Sequence, residues 1–473
     1  MSVTDGSTGA TPVVVDKSYN TGTRYGVLLV TDGAPERLTA RHVWRFLSSS
    51  LSNPRLIDVL PMWMWRPLLY AYVIPWRLAE TIESYRHAWI TAPVQPSRSV
   101  SATANETSTT SAAETHVAGD GVAAAVCTAR VLGRRLERRM RERLRGSSVA
   151  AAADVSVQVE VGFCHSAQSI CAALERMLLC GNYGAGARDT AGEPIRTHTE
   201  HLLILPLYPH YTSLRSATAW DAVMQCGYFQ RQQSIPNVHF IRSYSQHAAF
   251  VAAWQRHLRR FIGLHGKPDW LFLVFETVPT RLTQFGDTCV RDYTRTVEQL
   301  REALSVPKES AGSPLACGSD CETYFTDALD PSRVVLGYLG KGGEPALEPR
   351  IDKLLARILV QLRHHVARSS EAATSTACEL SSSSAAAGLD NASVVSSSSS
   401  RVILPEATAP TAYIACPGIA VDDVNTLSTI QQRLCQKYVR LGWKQVRYIP
   451  ALNDGATHVE MLAAVVTSHM RNR

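Results

Sequence analysis

A glutamate at the end of a strongly apolar segment is the residue of this chain best placed to do chemistry. Residues 271–275 are all apolar and are followed by Glu276 and then by the sequence Thr-Val-Pro. Such a run predicts a parallel strand that is buried on both faces, and ligands bind beyond the carboxyl ends of strands in such sheets. A carboxylate there can accept a proton or ligate a cation. On the local sequence, a Glu276 that caps the next helix or faces solvent is an equally open alternative.

The elements that would position Glu276 alternate between strands and helices along the chain. The sequence predicts strands at residues 25–30, 155–161, 201–207, 238–244, 271–275, 334–338, 412–416 and 445–449. This alternation indicates an α/β fold made of two Rossmann-like, doubly wound domains with parallel sheets. Residues 27–35 and 271–279 resemble each other, since each has a strand, a polar strand end and then a proline.

We expect the two domains to follow an N-terminal tail at residues 1–24. The first would span residues 25–230, with inserts at 93–120 and 181–199. The second would span residues 235–473, with a loop at 305–330 and a low-complexity insert at 369–400. The inserts are rich in Ser, Thr, Ala and Gly and contain too few large apolar residues to form a core.

Composition narrows the classes of protein that fit. The chain has 473 residues, of which 45% are hydrophobic, and a net charge of +7. Residues 130–145 contain eight of its arginines and only two glutamates; they predict a helix with a solvated basic face, or one that binds an anionic surface. No aromatic residues interleave with these arginines, so we expect no nucleic-acid partner. The eleven cysteines contain no CxxC pair, which favours structural thiols in a reducing compartment over a zinc site.

Residues 56–78 are rich in Trp, Tyr and Leu, but Arg66 and three prolines interrupt them. These interruptions argue against a transmembrane helix. Two interpretations remain open. The segment is either an aromatic lip at a binding site or membrane interface, or a buried core helix.

Seven segments, in chain order, resemble the ferrochelatases, the enzymes that insert ferrous iron into protoporphyrin IX. They are YGVLLVTDGAP, FLSSSLSNPRLIDVLP, LPLYPHYTS, IRSYSQHAAFVAA, FETVPTRLTQFGD, CPGIAVDDVNTLSTI and RYIPALNDGATHV. The resemblance implies two similar Rossmann-like domains that clamp the porphyrin in the cleft between them.

The chain departs from the family at the positions that carry its chemistry. Glu276 stands where the family has a histidine that handles the pyrrole protons or the metal. The family's helical Asp, Glu and Glu correspond to Asp422, Asn425 and Thr429. The resemblance implies catalytic roles for Glu276, Asn425 and Asp422, with Glu276 and Asn425 at the metal. It implies porphyrin contacts from Thr31, Asp32, Trp63, Cys164, His165, Tyr208, His210, Tyr211 and Ser216.

Two hypotheses of function follow from the resemblance. The first is insertion of ferrous iron into protoporphyrin IX by a rebuilt catalytic centre. The second is an inactive porphyrin- or haem-binding paralogue that acts as a carrier, scaffold or regulator. Iron would be a substrate, and we expect no tightly bound cofactor and no iron-sulfur cluster. The family also implies peripheral membrane contact through residues 59–78, a homodimer, and a location on the matrix side of the mitochondrial inner membrane, with the cytoplasm as the alternative.

Overall fold

Two four-stranded parallel sheets form the framework of the protein. The computed structural model describes residues 23–55, 61–90, 123–146, 155–178, 199–227, 229–231, 235–307, 325–340, 347–381 and 409–471. The first sheet has the order β2-β1-β3-β4 and the second the order β6-β5-β7-β8. The strands are β1 (Arg24–Thr31), β2 (Ser156–Phe163), β3 (His201–Pro206), β4 (Asn237–Phe240), β5 (Trp270–Glu276), β6 (Val334–Leu339), β7 (Thr411–Ala415) and β8 (Gln445–Ile449). The two orders are equivalent, so the predicted α/β fold with two Rossmann-like halves is confirmed.

Helices cover both sheets and connect their strands. They are α1 (Ala40–Leu51), α2 (Met62–Leu68), α3 (Ile74–Ile90), α4 (Ala124–Arg145), α5 (Ala167–Leu178), α6 (Ser216–Gln225), α7 (Ala248–His265), α8 (Thr280–Gln284), α9 (Cys289–Ser305), α10 (Ile351–Ser381), α11 (Cys435–Arg440) and α12 (Ala456–Arg471). Two π-helical segments, Leu69–Val73 and Asn425–Leu434, precede α3 and α11.

Strand alternation divides the apolar side chains between layers. On β1, Val27 and Leu29 belong to a large core that also includes residues of α4, α7, α9 and α12. Leu28 and Val30 instead face a smaller core formed with α5 and α6. Side chains of a strand point alternately to opposite faces, so this division buries both faces of the sheet. The large core takes residues from both halves and joins them.

Most differences from the expected elements occur at their ends. β4 ends at Phe240, earlier than the predicted residue 244, because the backbone N–H groups of Tyr244 and Ser245 donate to the Pro209 carbonyl instead of continuing the sheet. α10 continues to Ser381, into the predicted low-complexity insert. The insert at 93–120, nearly all of the insert at 181–199, most of the loop at 305–330 and the remainder of 369–400 lie outside the described residues. The domain bounds therefore stay predictions.

The aromatic segment is exposed and is not a core helix. Trp63 on α2 is 76% exposed and Trp76 on α3 is 86% exposed, and Tyr72 between them is also exposed. One edge of the segment packs, where Leu69 and Ile74 meet Val43 of α1. Within the described helices, none is both long and apolar enough to span a bilayer.

Several arginines of the basic helix α4 form ion pairs. Arg139 and Arg143 both pair with Glu460 of α12, and Arg135 pairs with Asp454 at 3.1 Å. The apolar face of α4, which includes Leu132 and Met140, packs in the large core. α4 therefore connects the two halves on both its apolar and its polar side.

One pair of cysteines differs from the expectation of reduced, structural thiols. Cys171 of α5 and Cys226 after α6 form a disulfide, with their Cα atoms 5.6 Å apart. This separation lies within the range that a disulfide spans. The expectation was wrong for this pair because spacing along the chain does not reveal that α5 and α6 pack side by side against the first sheet.

Candidate active site

A cleft of 340 Å³ opens where the carboxyl ends of β1 and β5 approach each other. Asp32 follows β1 and Glu276 ends β5, and both line this cleft. They occupy matching positions in the two similar segments 27–35 and 271–279. The equivalent strand orders of the two sheets place the two carboxylates at equivalent strand ends. Ligand sites in open parallel sheets lie at these ends.

An arginine bridges the two carboxylates across the cleft. Arg215 Nε donates to Glu276 Oε2 at 2.7 Å, and Arg215 Nη2 bonds to Glu276 Oε1. Arg215 Nη1 forms an ion pair with Asp32 Oδ2. The Glu276 carboxylate is therefore held in a bidentate pair, and one guanidinium serves both halves of the protein.

Local structure fixes Arg215 in this position. It immediately precedes α6, where its backbone N–H donates to Thr212 Oγ1 at 3.1 Å. Its guanidinium carbon lies 5.5 Å from the centroid of the Tyr208 ring, a cation–π distance. Burial opposes the charge of Arg215, but interaction with Glu276 outweighs that effect and raises the pKa of Arg215 above its usual value. Arg215 is therefore a permanent cation.

Tyr208 also organises the first carboxylate. The backbone N–H of Asp32 donates to the Tyr208 hydroxyl at 3.0 Å, and that hydroxyl lies 3.4 Å from Thr31 Oγ1. Asp32 Oδ1 is buried and has no hydrogen-bonding partner among the described residues. A carboxylate oxygen in this state can still accept from a ligand or a cation.

A third acidic group also lines the cleft. Asp423 lines the cleft, and its Oδ1 accepts the backbone N–H groups of Asn425 at 2.9 Å and Thr426 at 3.0 Å. Asp423 therefore caps the helical segment that follows. Desolvation by the surrounding protein raises the pKa of Asp423 above its usual value, although Arg215 opposes the shift. Asn425 also lines the cleft and donates its side-chain amide to Asp423 Oδ2 at 3.3 Å.

His165 is the histidine that lines the cleft. Its ring packs edge-on against Phe46 at a centroid distance of 5.5 Å. Burial lowers the pKa of His165 to about 4, so the ring is neutral at pH 7. A neutral imidazole has one nitrogen that can accept a proton and one that can donate.

Six of the twelve predicted site residues line the cleft, and six do not. The six in the cleft are Thr31, Asp32, His165, Tyr208, Glu276 and Asn425. Asp422 is the most informative of the others because its carboxylate is fully used elsewhere. It accepts from the Tyr448 hydroxyl, from the Ala451 backbone N–H at 3.2 Å and from Asn453 Nδ2 at 2.8 Å. The carboxylate that lines the cleft is that of its neighbour Asp423.

His210 and Cys164 point into cores instead of into the cleft. The His210 ring lies 5.2 Å from the Phe275 ring and donates to or accepts from Thr296 Oγ1 at 2.8 Å. Phe275 and Glu276 are consecutive strand residues, so they face opposite sides of the sheet, and His210 follows Phe275. Cys164 is buried in the core beside α5, where burial raises its pKa to about 12.

The remaining predicted contacts lie farther away. Tyr211 lines a separate concavity, where the guanidinium carbon of Arg242 lies 3.9 Å from its ring centroid. Ser216 is buried and donates to the His210 carbonyl at 3.3 Å. Trp63 belongs to the exposed aromatic segment and does not line the cleft.

Arg215 and Asp423 are the charged residues of the cleft that the predicted set of site residues does not include. The available signal for Arg215 was a cation in the loop that follows the LPLYPHY turn. Within the described residues, no three Asp, Glu, His or Cys side chains converge as a metal site.

The chain is similar to ferrochelatases over almost its whole length. A family model described as ferrochelatase matches residues 129–314. The ferrochelatase of Proteus mirabilis is 25% identical over 444 residues, which cover 94% of this chain and 97% of that protein. The ferrochelatase of Yersinia enterocolitica is 24% identical over 94% of this chain and 98% of its own length. That of Sodalis glossinidius is 26% identical over 95% of both.

These relatives are bacterial, and this overturns one expectation. The mitochondrial location followed from eukaryotic members of the family alone. Proteins from Proteus, Yersinia and Sodalis provide no mitochondrial context. The prediction of a mitochondrial location was therefore wrong.

Fold, cleft and similarity agree with one another. The chain has two equivalent parallel sheets and a cleft at their facing strand ends, and its sequence is similar to ferrochelatases, a family that inserts metal into porphyrin. The comparisons therefore support a ferrochelatase-like protein, similar to that family over 94% of this chain.

Proposed function

We propose that this protein binds a porphyrin in the cleft between its halves and inserts ferrous iron through a centre built on carboxylates. The observation that carries this proposal is the position of Glu276, at the end of β5 and in the cleft with Asp32 and Asp423. Iron insertion requires two pyrrole protons to leave and the metal to be guided to the ring nitrogens. Carboxylates are capable of both tasks because they accept protons and ligate ferrous iron.

In this proposal the cleft residues divide the work. Glu276 takes the place of the family histidine as proton acceptor and first ligand of the arriving iron. Asn425 can offer its carbonyl oxygen to the metal but cannot accept a proton. Asp423, with its raised pKa, is the better acceptor for the second proton, because a carboxylate with a higher pKa is a stronger base. Neutral His165 can relay a proton from the same wall.

The cleft wall also suits the flat face of a porphyrin. Tyr208 and Phe46 provide aromatic surface, and Thr31 and His165 provide polar groups at the edge. The volume of 340 Å³ lies near the lower limit of about 300–1,000 Å³ for ligand pockets. We therefore expect part of the ring to stay outside the enclosed space.

A second candidate function is porphyrin or haem binding without insertion. A specific observation favours it: both oxygens of Glu276 are already paired with Arg215. Transfer of a proton to Glu276 would leave a partly buried guanidinium without its partner, which is costly. A carrier, scaffold or regulator requires only the cleft walls and would tolerate this pairing.

Metal insertion by the purified protein separates the two functions. The loss of free-porphyrin fluorescence would be followed with ferrous iron and with zinc, and porphyrin binding would be titrated without metal. We expect insertion in the wild type and a decrease of about 10²–10⁴-fold in Glu276→Ala, the range for loss of a proton acceptor. Porphyrin affinity should change little.

Glu298→Ala is the matched control, because Glu298 is exposed on the outer face of α9. It should insert metal at the wild-type rate. Tight porphyrin binding without any insertion by the wild type would retire the catalytic roles and leave the binding function.

We also propose that the aromatic segment of α2 and α3 contacts a lipid surface. Trp63, Tyr72 and Trp76 are exposed, and Arg66 and Arg77 provide positive charge beside them. Tryptophan and tyrosine favour the membrane interface, and arginine attracts anionic headgroups. Cosedimentation with anionic vesicles should decrease in Trp63→Ser/Trp76→Ser. Trp220→Ser replaces a less exposed tryptophan on α6 and should leave vesicle binding unchanged. Equal vesicle binding by the wild type, the double variant and Trp220→Ser would contradict the proposal.

A further inference from the structure

We propose that Arg215 acts as a tethered cation that competes with the incoming metal ion for the carboxylates of the cleft. This inference rests on the proposed function, since it concerns how metal reaches the same site. It identifies Arg215 as a positioning residue that limits metal access, a role that Glu276 and Asp423 do not have.

The first argument is occupancy. The guanidinium contacts Asp32 on one side and both oxygens of Glu276 on the other. These are the oxygen ligands that a divalent cation would use. A metal ion and the Arg215 guanidinium cannot occupy the space between the two carboxylates together. Metal binding to Glu276 therefore requires Arg215 to move away first.

The second argument is charge. The carboxylates of Asp32, Glu276 and Asp423 line the cleft. Among the described residues that line it, Arg215 is the only lysine or arginine. The guanidinium offsets part of the negative charge that would attract a divalent ion. The side chains of Arg215 and Asp32 are only 19% and 18% exposed, so water screens this interaction less than it would at the surface.

The third argument is that the acidic set remains incomplete with Arg215 in place. Asp32 Oδ1 is buried and lacks a hydrogen-bonding partner among the described residues, so it retains capacity for a further cation or donor. This spare capacity is expected if the guanidinium blocks a cation position without satisfying it completely.

The consequence is a quantitative one for metal affinity. The apparent affinity of a ligand equals its intrinsic affinity multiplied by the fraction of molecules in which the site is available. If Arg215 is released only a minor part of the time, removing its charge should raise the affinity for a divalent ion. The gain should depend on Glu276, because Glu276 is the carboxylate that Arg215 holds by two contacts.

The test is zinc binding by the full-length protein without porphyrin, measured by calorimetry. Arg215→Met keeps the length of the side chain and removes its charge, so we expect zinc affinity to rise by roughly tenfold or more. The gain should disappear in Arg215→Met/Glu276→Gln. Arg55→Met is the matched control, because Arg55 also pairs with a carboxylate, that of Asp221 at 3.1 Å, at an exposed site.

A second variant covers a failure of Arg215→Met to fold, which circular dichroism would reveal. Lysine at this position keeps the charge but cannot form a bidentate pair with Glu276, so Arg215→Lys should raise zinc affinity severalfold. Unchanged zinc affinity in a folded Arg215→Met or Arg215→Lys protein would overturn the proposal and leave Arg215 as a structural bridge between the halves.

A parallel porphyrin titration separates this inference from the proposed function. If the wild type fails to bind porphyrin, the proposed function fails whatever zinc does. If it binds porphyrin and Arg215→Met also inserts zinc faster than the wild type, both proposals stand. Porphyrin binding together with unchanged zinc affinity would retire the inference alone.

Discussion

At the level of single residues, burial determines which histidines can act as proton carriers. Burial lowers the pKa of His165 to about 4, of His210 to about 3 and of His458 to about 4. Only His165 lines the cleft. The other two are buried in the protein interior, where a charge would be costly. Their neutral state therefore matters for stability and not for proton transfer.

The buried His210 predicts how stability depends on pH. The unfolded chain would protonate His210 near pH 6.5, whereas the folded protein would not do so until about pH 3. The unfolded state therefore binds more protons below pH 6.5, and stability should decrease as the pH falls through that range, by at most about 1.4 kcal/mol per pH unit from this residue. We expect His210→Gln to reduce the slope of unfolding free energy against pH between pH 6.5 and pH 4.

Urea unfolding at a series of pH values measures this slope. His364→Gln is the control, because His364 is exposed on α10 and should leave the slope unchanged. Equal slopes for the wild type and His210→Gln would show that His210 is already protonated, or is solvated, in the folded protein.

At the level of elements, the strands were predictable from the sequence. Which residues of one helical segment share a face was not. All eight strands were predicted, most directly β5, where five consecutive apolar residues are buried because both faces of the sheet are covered. The spacing of Asp422, Asn425 and Thr429 implied one face of an α-helix. In the structure Asp422 lies in the turn before that helix, and Asn425–Leu434 is π-helical. The rule of three and four residues therefore does not apply there.

Arg215 shows a second limit of prediction from sequence at this level. Its partners come from the ends of β1 and β5, which lie 183 and 61 residues away along the chain. Local pattern has no information about such a contact. The contact could be predicted only from the arrangement of the two sheets. Their strand ends meet at the cleft, next to the loop that precedes α6.

At the level of the whole molecule, the two halves share one core although each has its own sheet. α4 of the first half packs against α12 of the second, and residues of both belong to the same large apolar cluster. The ion pairs of Arg139 and Arg143 with Glu460 border this contact. The walls of the cleft are therefore held by a continuous interior and not by a flexible linker.

This shared core predicts that the halves unfold together. Met140 of α4 is 1% exposed, and its sulfur lies 3.9 Å from the hydroxyl oxygen of Thr467 of α12. Met140→Ala would leave a cavity at the junction and should lower the free energy of unfolding by about 2–5 kcal/mol. Because the junction belongs to both halves, we expect one transition that shifts to lower urea concentration, with coincident curves from tryptophan fluorescence and far-UV circular dichroism.

Met64→Ala is the matched control for this cavity. Met64 lies on α2 and is 45% exposed, so its truncation should change stability by less than about 0.5 kcal/mol. Two separate transitions in Met140→Ala, of which only one moves, would mean that the halves are energetically independent. The Asp32–Arg215–Glu276 bridge would then be a principal link between them, and loss of Arg215 would loosen the cleft itself. A single shifted transition would mean that the core fixes the walls of the cleft, and that Arg215 can be removed without separating them.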